Sequence, residues 1–245
     1  MEKTYLYKKH QVTAILLLFF FSMTFIKNLH SFSFLHQKET QMHQQKAIIL
    51  IHGLMRTPAS MFFLRSYLKN QGYPVYSYNY PSAKNTIHED GIYLNHYIKQ
   101  FLIKHPNITV YFITHSLGGI IARDALAQLP ANQLKRIGGL IMLAPPNQGS
   151  ALAKFSTKVF PMISYFIRPL NELSSEQNSY VHKVPVPKIK IGIIAGRYDA
   201  KVPPASARLE GQEEPVVVNS THTFIMNNAQ TKIFIKRFLE NGSFN

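Results

Sequence analysis

Six short stretches of this chain are apolar nearly throughout, and each is bounded by glycine, proline or other turn residues. The clearest are KAIILI at 46–51, which runs into His52-Gly53, and ITVYFI at 108–113, which runs into Thr114-His115-Ser116. The others fall at 73–78, 136–143, 188–195 and 215–219. A strand with one wet face alternates apolar and polar residues; one that is apolar throughout is buried on both faces. Between the runs, apolar residues recur at helical spacing over 58–72, 86–104, 117–129 and 228–240. Strand and helix patterns that alternate in this way specify an α/β chain. The expected architecture is a doubly wound, mostly parallel sheet of about six strands with helices on both faces. Ligands of such sheets sit outside the carboxyl ends of the strands, so chemistry is expected there. Residues 150–180 are less periodic and leave room for a cap.

Composition narrows the class. The chain has 245 residues, 46% of them hydrophobic, which suits one sizeable core with an appendage. It contains no cysteine, so disulfides, thiolate metal sites and a cysteine nucleophile are excluded. The net charge is +15, and residues beyond 35 retain about +12 of it. The positive residues are scattered, with no nucleic-acid motif and no aromatic–basic interleaving. An anionic membrane surface is therefore the expected partner of this charge rather than a nucleic acid; a basic chain with no special partner is the alternative.

The N-terminus reads as a targeting segment. Lys3, Lys8 and Lys9 precede an uncharged apolar run at 11–26. Sixteen helical residues span only ~24 Å, against a hydrocarbon core of ~30 Å. Residues 1–28 are therefore expected to be a signal peptide or an uncleaved signal anchor, with 29–45 a polar linker and 46–245 the catalytic domain. Either form exports the domain, leaving it secreted, periplasmic or membrane-anchored.

The chemistry-bearing candidates stand at strand ends. ITHSLGG at 113–119 places Ser116 between a strand and a helix, where a nucleophile elbow would hold it. The usual first glycine of that motif is Thr114 here, and the alternative is a serine that only caps the helix. His222, after the sixth strand, is the candidate base, and a simple loop histidine is the other reading. Asp199, just past the fifth strand, is the candidate orienting carboxylate; Asp124 is expected to face solvent and Asp90 to open an earlier helix. The order Ser116, Asp199, His222 is that of a nucleophile, acid and base on such a sheet. Backbone N–H groups of Leu117 and of Leu54, in the loop His52-Gly53-Leu54, are the expected oxyanion donors. Gly53 lets that loop turn tightly, and His52 is expected to bond it. No metal or cofactor is required.

Five blocks in order, IHGLMRTPASM, THSLGG, LAPPNQGS, IGIIAGRYDAKV and STHTFIM, resemble a family of bacterial α/β-hydrolases that includes compact triacylglycerol lipases and esterases. The resemblance covers residues 46–245. It implies an α/β-hydrolase fold, an acyl-enzyme on Ser116, catalytic Asp199 and His222, and oxyanion donors at Leu54 and Leu117. It also implies that threonine at 114 is a family feature and that the loop holding Pro146 and Asn147 lines the cleft. His52 and Gly53 join these as substrate-binding candidates. The expected activity is hydrolysis of a small-molecule or lipid carboxylic ester. A thioesterase or acyltransferase would use the same residues, and a non-catalytic membrane-associated binding protein is the other class. Phe155, Val159, Phe160, Tyr165 and Phe166 would line an acyl pocket or pack a satellite core.

Overall fold

The structure, a computed structural model, describes residues 45–150, 153 and 167–245. The expected targeting segment at 1–28 and the aromatic residues at 155–166 lie outside these residues. The chain divides after His43, and every element below belongs to the unit Gln44–Asn245.

Six strands form one parallel sheet: β1 (Lys46–Ile51), β2 (Val75–Tyr78), β3 (Thr109–His115), β4 (Ile137–Leu143), β5 (Ile191–Gly196) and β6 (Val216–Val218). Their spatial order is β2-β1-β3-β4-β5-β6. The chain thus starts inside the sheet, steps out to β2, returns across β1 to β3, and then advances in one direction. β3 lies beside β1 at that reversal, the position where a doubly wound sheet opens a crevice.

Four longer helices cover the described sheet: α1 (Phe62–Asn70), α2 (Ile87–Lys104), α3 (Leu117–Ala127) and α4 (Ala229–Asn241). Side chains alternate across a strand, so β1 feeds two cores. Ala47, Ile49 and Ile51 pack with Leu94 and Ile98 of α2 and Ile121 of α3. Ile48 and Leu50 pack with Leu64 and Leu68 of α1 and Phe238 of α4. The helix starts follow local chemistry. Thr86 and Glu89 exchange bonds as a capping box at α2, and Asn228 accepts from Gln230 and Thr231 at α4. Gly242 ends α4 at φ 79°, a left-handed value suited to glycine.

Some boundaries differ from the sequence reading. β2 begins at Val75 because Pro74 has no N–H to add to the ladder. β5 begins at Ile191, three residues later than expected. Short helical turns at Pro169–Glu172 and Pro204–Ala207 each start on a proline, the first within the less periodic stretch that leaves room for helices. No helix among the described residues is long and apolar enough to cross a membrane.

Candidate functional site

Ser116 joins β3 to α3 at φ 52° and ψ −125°, a strained backbone conformation for a residue with a side chain. Its N–H donates to the Leu143 carbonyl at 2.9 Å, tying the turn to the end of β4. Ser116 occupies the N-cap position, but its side chain makes no capping bond. The hydroxyl is left for another partner.

The glycines explain how the turn closes. A Cβ on Gly118 would stand 2.5 Å from the His52 carbonyl oxygen and 2.7 Å from that of Ile51. Helix α3 therefore enters against the backbone of β1. A Cβ on Gly119 would stand 2.7 Å from Met142 Cε and 3.1 Å from Thr114 Oγ1. Thr114 thus packs beside Gly119, not Gly118, and its hydroxyl donates to the Ile141 carbonyl at 3.3 Å. The threonine side chain fits because the helix residue facing it has none.

His222 reaches this turn from the loop after β6. Its Nε2 lies 3.0 Å from Ser116 Oγ, and its Nδ1 lies 2.7 Å from Asp199 Oδ2. Asp199 is buried, and its other oxygen accepts backbone N–H bonds from Lys201 at 2.9 Å and Val202 at 2.8 Å. Gly196 allows the β5 and β6 loops to meet: a Cβ there would stand 2.6 Å from the Ser220 carbonyl oxygen. The structure therefore brings Ser116, His222 and Asp199 into one hydrogen-bonded line across three strand ends. With Nδ1–H donating to a carboxylate, Nε2 of a neutral ring is left to accept from the serine.

His115 is a site residue that the sequence reading passed over. It ends β3 and is buried, with its ring 4.8 Å from that of His222. Its Nε2 donates to the His222 carbonyl at 3.0 Å, which fixes the backbone of that residue. Burial, the adjacent His222 ring and the Arg56 guanidinium push its pKa down to about 3. Its position next to Ser116 was the available signal, because a strand's last side chain shares the edge with the turn that follows.

The loop after β1 closes the site from the other side. A Cβ on Gly53 would stand 3.0 Å from His115 Nδ1 and 3.1 Å from Ser116 Cβ, so only glycine lies there without crowding. His52 turns away: Nδ1 bonds the Gly53 carbonyl at 3.0 Å and the ring stacks on Tyr80 at 4.4 Å. Leu117 opens α3, where its N–H has no carbonyl one turn back. Leu54 and Pro146 line a cavity of about 390 Å³ that also exposes Ser116 and His222. Ile167, Leu170, Leu173 and Val202 give it an apolar wall. Asn147 is not brought to that wall. It is buried, with Oδ1 accepting from Arg123 at 2.9 Å and Nδ2 donating to the Ala207 carbonyl at 2.8 Å.

Asp124 corrects an expectation of exposure. It is buried on α3, where it accepts from Tyr180 at 2.9 Å, pairs with His88 at 3.2 Å and fills the space left by Gly91 of α2. Helical spacing suggested solvent, but the cross-over of α2 on α3 covers that face. Asp90 is buried in the first turn of α2 and meets Asn85 at 2.8 Å. Both carboxylates lie outside the Ser116 line. Among the described residues no group of three histidine or acidic side chains could hold a metal ion.

Comparison with known proteins gives three findings. Residues 41–162 match the family described as "Putative serine esterase (DUF676)". A curated Mycoplasma genitalium protein, "Putative esterase/lipase 2", is 28% identical over 112 residues, which are 44% of this chain and 40% of the relative. The chain thus matches less than half the length of that relative. Among solved structures, the mature lipase BlEst2 of Bacillus licheniformis superposes with a TM-score of 0.63 at 16% identity, covering 80% of this chain and 91% of the lipase. MGS-MChE2, an α/β hydrolase from a lagoon-sediment metagenome, does so with 0.58 at 20% identity, covering 81% and 93%.

Proposed function

We propose that this chain, whose parallel sheet has the α/β-hydrolase fold and part of which matches a serine-esterase family, hydrolyses carboxylic esters through an acyl-enzyme on Ser116. The observation that carries the reading is the His222 ring, 3.0 Å from Ser116 Oγ on one side and 2.7 Å from Asp199 Oδ2 on the other. Ser116 Oγ attacks the ester carbonyl carbon while His222 Nε2 takes its proton. Asp199 holds the ring with Nε2 toward the serine and steadies the imidazolium. The N–H groups of Leu117 and Leu54 receive the negative oxygen of the tetrahedral intermediate. Collapse releases the alcohol, which leaves with the proton from His222, and the acyl group stays on Ser116. Water then repeats the sequence and frees the acid. The apolar wall of Ile167, Leu170, Leu173 and Val202 suits the acyl chain. His115 acts as a positioning residue, holding the His222 backbone.

Hydrolysis of short p-nitrophenyl esters tests this. Ser116→Ala should abolish turnover and fluorophosphonate labelling, and Asp199→Asn should cut kcat on the order of 10⁴-fold. Full activity in Ser116→Ala would remove the serine from the mechanism.

We also read residues 1–28 as the export signal or anchor that carries this domain across a membrane. Its support is the lysine-flanked apolar run at 11–26. Fractionation of the tagged full chain checks it; recovery wholly in the cytosol would reject it.

A further inference from the structure

Two basic residues, Arg56 and Lys201, line the cavity that holds Ser116, and none of the described residues lining it is acidic. Their backbones are fixed at strand ends on either side of the serine. Arg56 donates its N–H to the Gly53 carbonyl in the β1 loop, and Lys201 donates its own to Asp199 Oδ1 in the β5 loop. A shallower groove opens beside the cavity and shares Arg56 with it. Its other walls include Lys84, Thr57, Asn79 and Ser82, again with no acidic residue among those described. Arg56, Lys84 and Lys201 are exposed, and among the described residues none lies within ion-pair distance of a carboxylate. Arg168, in contrast, is already paired with Glu89 at 3.2 Å.

The site thus combines an apolar wall with cations that pair with no carboxylate among the described residues. Arg56 and Lys84 share the groove with hydroxyl and amide groups, which together suit an oxyanion such as a phosphate. An arginine at the junction of cavity and groove is placed to meet a charge close to the scissile ester.

We propose that the preferred substrates are acyl esters whose alcohol part carries an anionic group of the phosphate type, held in the groove by Arg56 and Lys84. This rests on the ester-hydrolase reading and adds the class of alcohol. The reaction itself is unchanged: ester and water give the carboxylic acid and the free anionic alcohol, and the phosphate ester bond stays intact.

The test uses two soluble substrates with one acyl chain, monobutyrin and 1-butyryl-glycerol 3-phosphate. The expected result is a kcat/KM at least about tenfold higher for the phosphate-bearing ester, the size of one charge-assisted contact. Arg56→Gln and Lys84→Gln should each lower that ratio several-fold. Lys104→Gln removes the same charge at the end of α2, on the opposite edge of the sheet, and should leave the ratio where it was. Lysophosphatidylglycerol against monoacylglycerol of equal chain length asks whether lipid head groups enjoy the same preference. A ratio near one with both soluble esters cleaved would overturn the proposal and leave the hydrolase reading standing. A preference seen only with micelles, or lost equally in Lys104→Gln, would assign the effect to net charge and also overturn it. If no ester is cleaved, calorimetric binding of the two butyryl compounds to the Ser116→Ala protein decides the proposal separately: tighter binding of the phosphate-bearing one supports it, and equal binding rejects it.

Discussion

His115 Nε2 donates to the carbonyl oxygen of His222 at 3.0 Å, so the residue before Ser116 holds the backbone of the ring that meets it. The two rings lie 4.8 Å apart, yet only His222 also reaches Ser116 and Asp199. One strand end therefore supplies both the Ser116 hydroxyl and a tether for the loop whose ring reaches it.

Removing that tether should loosen His222 without removing it. His115→Leu is expected to lower kcat roughly tenfold with little change in KM, because a small misplacement of a reacting group is costly. His115→Gln, which keeps an N–H donor, should recover part of the loss. The acid limb of the pH–rate profile should stay in place in both, since the pKa of His115 lies near 3, outside the working range. A displaced acid limb would show that His115 titrates in the mechanism.

The Ser116 backbone stores strain. At φ 52° and ψ −125° a Cβ is unfavourable, and glycine is not. Ser116→Gly should therefore be more stable than Ser116→Ala by about 1–2 kcal/mol, although both lack the hydroxyl. Denaturant melts of the two variants measure it. Equal stability would mean that the turn relaxes once the hydroxyl is gone.

The neighbouring glycines should differ in tolerance. A methyl at Gly118 meets two backbone carbonyls of the β1 end, which cannot move without the strand. Gly118→Ala is expected to cost about 3 kcal/mol or more and to disable the site. A methyl at Gly119 meets the flexible end of Met142 first, so Gly119→Ala should cost no more than about 1 kcal/mol. The reverse ranking in thermal melts would contradict this account of the turn.

Asp90 makes stability depend on pH. Burial and the nearby Glu89 raise its folded pKa to about 6, whereas a free aspartate titrates near ~3.9. Between those values the folded chain binds more protons than the unfolded chain. The contribution of this group therefore falls as pH rises through that window and stays low above it. Asp90→Asn, which cannot ionise, should be more stable than the parent at pH 7.5 by on the order of 1–2 kcal/mol. The advantage should vanish near pH 4. Tm measured across this range checks the slope, and a constant offset would point to packing instead.

Much of this fold was legible along the chain because its signals are local. Apolar runs such as KAIILI announce buried strands, and Thr86-Ile87-His88-Glu89 spells the capping box that starts α2. Ser116, Asp199 and His222 were each visible as polar residues within a few positions after such a run. What escaped was set by packing between elements. The burial of Asp124 depends on how α2 crosses α3, and the inward turn of Asn147 depends on Arg123 and the loop at Ala207. The match of Thr114 with Gly119 depends on how closely α3 approaches the end of β3.

By itself the sequence determined the alternation of strand and helix, the parallel sheet and the candidate residues at its edge, since periodicity and turn chemistry act over a few neighbouring residues. Only the tertiary structure decided that His222 meets Ser116, 106 residues away, at 3.0 Å, and that His115 fixes the loop that brings it there. Such distances follow from the order of strands in the sheet and from the bare glycine backbones that let neighbouring loops touch. They are properties of packing in three dimensions, not of any single stretch of chain.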